Sequence, residues 1–225
     1  AFAAGFSSVR QFNDTMREVY AASPSALRGN RGTTSAGSGP AGEIALRVAV
    51  RTPFCGSALL AFLALRAVPG VEVAEVRVDG SGWYARTLDL PHGPGTARVE
   101  LADLDGPGTS YVAVRLALED LRDTAAALAR VRALLDADAD PVAVDAHLRA
   151  DPVLARLVAA RPGLRVPGHV DGREIAIRAV LGQQITVTAA RTAAARLVAA
   201  HGRAVETRID GLDRLFPDAA TIAAM

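Results

Sequence analysis

Lysine is missing from this chain: all 25 of its basic residues are arginine. They face 24 acidic residues, leaving a net charge of +1, so the chain is not a uniformly basic polyanion binder. Any nucleic-acid site has to be a local patch. The arginine usage accompanies heavy Ala, Gly and Pro content and carries the mark of GC-rich coding more than of selection for phosphate forks. Cysteine occurs once, at Cys55, which excludes an internal disulfide framework and a thiolate zinc site and fits a reducing compartment. Long apolar runs are also missing, because arginines or acidic residues break each one short of a membrane span. The first residues show no charged segment followed by an apolar stretch, so neither a span nor a leader is expected. His92, His147, His169 and His201 lack the spacing of metal ligands, and the acidic run Asp136 to Asp140 lacks the glycine and distal glutamate of a calcium loop. No metal and no cofactor is expected.

What is present is apolar: half of the 225 residues, ample for one large core or two small ones. From Glu43 onward, Leu46, Val48 and Val50 alternate with Arg47, Ala49 and Arg51, the period of a half-buried strand that Pro53 should end. Ala58 to Val68 reads as a helix closed by Pro69-Gly70. Strand-like runs follow at Val71 to Val78, Trp83 to Leu90, Ala97 to Leu101 and Tyr111 to Leu118. The segments Asp79 to Gly82, His92 to Gly95 and Asp105 to Gly108 separate them with turn chemistry. This pattern predicts an antiparallel sheet with a helix on one face. Leu121 to Ala160 reads as helical.

The segment from Pro162 to Gly202 predicts two helices joined by a tight turn. Asp171 is the N-cap of the first, with Glu174 three residues on completing a reciprocal capping pair. Ile175, Ala176, Ala179 and Val180 should face a core, with Arg173 and Arg178 turned away. The run breaks at Leu181-Gly182-Gln183-Gln184-Ile185, and Thr186 caps a second helix carrying Val187, Ala190, Ala194, Leu197 and Val198. Gly202 is placed for a left-handed C-terminal cap. Gln183 and Gln184 therefore project from a helix–helix corner, either as solvated amides or as a binding element. After Gly211 a further turn and helix begin. The chain starts at Ala1 without methionine and stops just after an Ala-rich helical start, so both ends read as cut.

Taken as one string, Pro-Gly-Leu-Arg-Val-Pro-Gly (162–168), the Asp-Gly-x-Glu helix start (171–174) and Arg-Ala-Val-Leu-Gly-Gln-Gln (178–184) resemble the opening of the helix-hairpin-helix domain of the DNA-3-methyladenine glycosylase II, AlkA-type, family. Ala-Phe-Leu-Ala-Leu-Arg-Ala-Val (61–68) and Trp-Tyr-Ala-Arg-Thr-Leu (83–88) resemble that family's TATA-binding-protein-like N-terminal domain. The resemblance implies that the corner enters the DNA minor groove, with Gln183 and Gln184 as its tip and Gln184 filling the place of an extruded nucleotide. Some members put an apolar wedge there. It also implies that Phe62 and Arg66 border the base pocket, where an aromatic face stacks on an electron-poor base. The residues themselves fit Phe62 equally well as core between Leu59 and Leu63. Where the family usually carries Asp-Trp, this chain has Cys55-Gly56, and Cys55 reads as a packing residue. The family's catalytic aspartate follows a Leu-Pro-Gly-Ile-Gly hairpin. Neither occurs in this sequence, and Asp210, Asp213 and Asp218 follow no such hairpin. The 225 residues are thus expected to bind DNA without cleaving a glycosidic bond, within an enzyme of the monofunctional glycosylase family.

Residues 1–28 read as an amphipathic helix followed by a Pro24-led second one, with Val9, Phe12, Met16 and Val19 expected on the apolar stripe. Gly-Phe-Ser-Ser-Val-Arg-Gln-Phe-Asn (5–13) and Ser-Pro-x-x-Leu-Arg (23–28) resemble the end of an AraC-type helix-turn-helix. That places Ser8, Arg10, Gln11 and Asn13 on a recognition helix in the major groove. Residues 29–42, rich in Gly, Ser and Thr, read as a flexible linker. The expected organisation is an α+β multidomain chain with four segments. They are a helix-turn-helix remnant (1–28), the linker (29–42), a TATA-binding-protein-like sheet domain (43–120) and the first, all-α part of a helix-hairpin-helix domain (121–225). The order resembles an Ada-type fusion of regulator and glycosylase. The expected function is excision of alkylated bases in a bacterial cytoplasm and nucleoid. The partners are damaged duplex DNA and promoter DNA, with no membrane, and the protein is expected to be a monomer. The alternative is a regulator whose glycosylase-like region reads DNA without chemistry.

Overall fold

In a computed structural model, the structure describes Ser8, Arg10 and residues 43–224. Gln11, Asn13 and the linker at 29–42 lie outside the described residues. The sheet is built from β1 (Glu43–Phe54), β2 (Glu72–Val76), β3 (Gly82–Leu90), β4 (Gly93–Leu101) and β5 (Leu104–Leu118), with α1 (Gly56–Arg66) between β1 and β2. The five strands are antiparallel in the order β1-β5-β4-β3-β2. The alternation in β1 sets its register: Leu46 lies opposite Val114 and Val48 opposite Val112, and all four are buried on the same face. A slip of one residue would send this whole row into water.

Two turn signals are corrected. The segment Asp105 to Gly108 falls inside β5, where Gly106 and Gly108 take φ of +83° and +122°. Opposite them, the β1 register shifts between Thr52 and Phe54. Glycine here supplies a bulge within a long strand, not a loop. Pro53, which should have ended β1, sits within that irregularity, after a cis peptide bond. At the other predicted turn, Gly93 already pairs with Leu90, so β3 and β4 meet in a tighter hairpin than His92 to Gly95 suggests.

One face of the sheet carries α1 and α2 (Thr124–Leu134). Leu59, Leu60 and Leu63 from α1 and Ala127, Leu128, Val131 and Leu134 from α2 share one core with the inward strand residues. α1 can lie this close because Gly56 has no Cβ: one there would stand 2.2 Å from the Ala102 carbonyl oxygen. α2 shares the core of the sheet.

Further along the chain lie α3 (Pro141–Leu148), α4 (Pro152–Ala160), α5 (Gly172–Leu181), α6 (Val187–His201) and α7 (Ala219–Ala223). Each starts where the sequence offers a side-chain acceptor to orphan N–H groups: Asp140, Asp151, Asp171, Thr186 and Asp218. The link from α4 to α5 contains the string 162–168, and each of its special residues has a packing reason. Gly163 takes φ +71°, and a Cβ there would lie 2.1 Å from the Pro53 oxygen. Gly168 approaches the Ala133 oxygen equally closely. Arg165 is buried and donates to the carbonyls of Arg51, Asp136 and Ala139, tying β1 to the end of α2. Past α6 the chain returns to the sheet, where Asp213 and Arg214 donate backbone N–H to the Gly70 oxygen and Thr87 Oγ1 donates to the Arg214 oxygen.

Candidate nucleic-acid interface

The α5–α6 corner forms as the sequence predicts. Asp171 accepts N–H bonds from Arg173 and Glu174, and Thr186 accepts from Ala189. Between the helices, Gln183 and Gln184 are both exposed. Gln184 takes φ +59°, the left-handed region that side-chain-bearing residues enter at a cost of roughly 1 kcal/mol. The turn thus holds an amide outward in a conformation for which glycine would be the easier residue.

Beside this corner a cavity of about 330 Å³ opens between α1, α5 and the start of α6. Phe62 and Arg66 from α1 stand on one wall, and Ile175, Gly182, Ile185 and Val187 on the other. Phe62 is 41% exposed, so it is cavity wall and not core. The Arg66 guanidinium lies 3.7 Å from the centre of its ring, and Arg66 Nη1 also donates to the Phe62 carbonyl. An incoming flat ring would have to share the Phe62 face with this cation or displace it. The expected core stripe of α5 is corrected as well: Ile175 and Val180 are 44% and 66% exposed, and Ala176 and Ala179 are exposed. Ile175 and Ala179 line the cavity, because another face of α5 meets the sheet.

That other face is charged. Glu174 does not reach back to complete a capping pair. It is buried, and its carboxylate accepts from Arg86 Nη2 at 2.5 Å and from Arg178 Nη1 at 2.9 Å. Arg178, expected to point away, bonds both oxygens of Glu72 at 3.1 and 3.0 Å, and its Nη2 donates to the Arg66 carbonyl at 2.9 Å. Glu72 also accepts from Arg86, the Tyr84 hydroxyl at 2.6 Å and the Val68 N–H. Burial opposes the charge on Glu72, but Arg86, Arg178, the Tyr84 hydroxyl and the Val68 N–H together hold its carboxyl below the usual carboxylate range. Burial and the Glu72 charge raise the Tyr84 phenol, so it stays a donor. Burial works against Arg86 and Arg178 too, yet the two carboxylates keep both guanidiniums charged. Sequence reading missed this network because Glu72, Tyr84 and Arg86 belong to two paired strands and their partners lie on a helix about a hundred residues away. A glutamate and an arginine four apart on α5 were the only local signal.

Among the described residues three carboxylates line the cavity, and each is already engaged: Glu72 and Glu174 by guanidiniums, Asp171 by backbone N–H groups. Asp210, Asp213 and Asp218 do not line it, and Asp218 is spent on capping α7. α6 ends at Gly202 with extended φ and ψ of −67° and 131°, not a left-handed cap. Glycine is required there for space, since a Cβ would stand 2.6 Å from the Val198 oxygen and 2.7 Å from the Leu215 oxygen. Cys55 is buried, and its backbone N–H donates to the Gly163 oxygen.

Residues 45–171 match the family described as the AlkA N-terminal domain. A Mycobacterium tuberculosis protein named as a probable bifunctional transcriptional activator/DNA repair enzyme AlkA is 46% identical over 224 residues, covering 99% of this chain and 43% of its own length. DNA-3-methyladenine glycosylase 2 of Escherichia coli K12 is 35% identical over 156 residues, 68% of this chain and 49% of its own length. The chain therefore spans less than half the length of these relatives. Among solved structures, the 3-methyladenine DNA glycosylase of Archaeoglobus fulgidus superposes with a TM-score of 0.57 at 21% identity. It covers 79% of this chain and 57% of that one, a likeness of fold.

Proposed function

The chain belongs to the AlkA N-terminal domain family, and from that premise we propose that it supplies the damage-probing half of a DNA glycosylase acting on alkylated bases. The observation that carries the reading is the juxtaposition of an outward glutamine corner with a cavity walled by Phe62 and Arg66. Extruding a nucleotide from a duplex costs roughly a few kcal/mol, least where the base is damaged or mispaired. A side chain that fills the vacated space recovers part of that cost. Gln184 at the corner tip takes this role, because its amide occupies the gap and hydrogen-bonds the orphaned base. Gln183 contacts the groove beside it.

Phe62 then offers a face for the extruded base, and Arg66 borders it. Cleavage of the glycosidic bond passes through an oxocarbenium-like state that an unencumbered carboxylate stabilises. The three carboxylates lining the cavity are committed to helix capping and charge pairing, so they hold the pocket together and none acts on the sugar. Residues 1–28, with Ser8, Arg10, Gln11 and Asn13, fit the regulator half of a bifunctional activator and repair protein, reading promoter DNA.

Binding to a duplex containing an abasic analogue, against the same duplex intact, tests the corner. The protein should bind the abasic duplex more tightly, and Gln184→Ala should lose about tenfold of that affinity, the equivalent of about 1.4 kcal/mol. Equal affinity of Gln184→Ala and wild type for the abasic duplex would remove Gln184 from the role.

A further inference from the structure

The five-residue buried network lies between the two halves of the candidate site, and this suggests more than a stability role. Arg178 is the hub. Its guanidinium bonds Glu72 of β2, Glu174 of its own helix and the carbonyl of Arg66 at the end of α1. Beside it, Arg191 of α6 donates Nε to the Ala67 carbonyl at 2.6 Å. α1 thus ends against two arginines, one from each helix of the glutamine corner. The same α1 carries Phe62 and Arg66.

We infer that Arg178 is a positioning residue that sets the distance between the Phe62 wall and the Gln184 corner, so that filling the duplex and receiving the extruded base happen in one register. The inference rests on the DNA reading of the corner and adds to it the part that couples its two ends. The geometry favours a rigid coupling. A half-buried guanidinium held at three acceptors is confined to one orientation, and it lies one turn before the corner, six residues from Gln184. Glu72 is itself fixed by Tyr84, Arg86 and Val68, so the anchor on the sheet side does not yield. A lysine at 178 would keep the charge but could not hold all three acceptors as a planar fork does.

A structural role and a positioning role differ in what they change. General loosening lowers affinity for every duplex, whereas loss of register lowers only the preference for a duplex with a vacancy. The readout is the ratio of affinities for abasic-analogue and intact duplexes, measured for wild type, Arg178→Lys, Arg178→Gln, Gln184→Ala and the double variants, with circular dichroism to establish folding. Both Arg178 variants should lower the ratio about five- to tenfold while intact-duplex affinity stays within about twofold. Adding either to Gln184→Ala should lower it little further, since both act through one element. Arg178→Lys serves where Arg178→Gln does not fold. A wild-type ratio of one overturns the DNA reading and the inference together. A wild-type ratio well above one, with either an unchanged ratio in the Arg178 variants or losses that multiply with Gln184→Ala, overturns the inference alone.

Discussion

Gln184 combines two demands that pull apart at a single position. Its φ of +59° suits glycine, yet the side chain is what the proposed site uses. Gln184→Gly should therefore raise resistance to urea unfolding by up to about 1 kcal/mol while weakening binding to an abasic duplex. Opposite signs in the two assays are the expected outcome. Gly163 is the reverse case, a residue whose absence of side chain is the whole requirement. With φ +71° and the Pro53 oxygen 2.1 Å from where a Cβ would stand, Gly163→Ala should cost about 2–3 kcal/mol, read from the urea midpoint. Arg165, two positions on, also belongs to packing: it joins β1 to the end of α2 through three carbonyls.

At the level of elements, α5 shows how one helix serves three surfaces. Its start is fixed by Asp171, one face meets the sheet through Glu174 and Arg178, and Ile175 and Ala179 turn to the cavity. Burial opposes the charge on Asp171, but the N–H groups of Glu174 and Arg173 hold its carboxyl below the usual range. A carboxyl lowered in the folded state contributes stability above its unfolded value and loses it as pH falls through the folded one. Asp171→Ala should accordingly cost about 1 kcal/mol at neutral pH, and less once acid has protonated the wild-type cap. Urea midpoints at pH 7 and pH 3 compare the two. The helix pair α5–α6 was legible in the sequence because caps and turn residues act locally. The burial of α5 was not, because periodicity reports that a helix has faces and not which one meets the sheet.

At the scale of the described molecule, the sheet and the helical part are joined by charge as well as by apolar contact. Glu72 is one of two buried carboxylates at that junction, with Glu174, and is held low by Arg86 and Arg178 against the penalty of burial. Its stabilising contribution is complete above the ordinary glutamate value of about 4.3 and disappears as the pH drops through the lower folded value. Glu72→Gln should cost about 3 kcal/mol at pH 7, since two guanidiniums lose a partner, and should flatten the fall of stability between about pH 5 and pH 3. Equal acid sensitivity of variant and wild type would move the acid response elsewhere. With a net charge of +1, the proposed DNA binding would rest on local arginines, and affinity should then fall as salt rises.

The amino-acid sequence alone determined the strand rows of β1, β3 and β5, the N-caps at Asp171 and Thr186, and the corner where Gln183 and Gln184 project. Each of these is written within a few neighbouring residues, through alternation or a single capping side chain. Tertiary structure alone decided that Phe62 is a cavity wall, that Glu174 leaves its own helix start for Arg86, and that Arg178 turns inward to Glu72. It also decided that the glycines at 106 and 108 bulge a strand. The physical reason is that an ionised side chain turns inward only where the fold supplies opposite charge, and residues far apart in sequence supply it here.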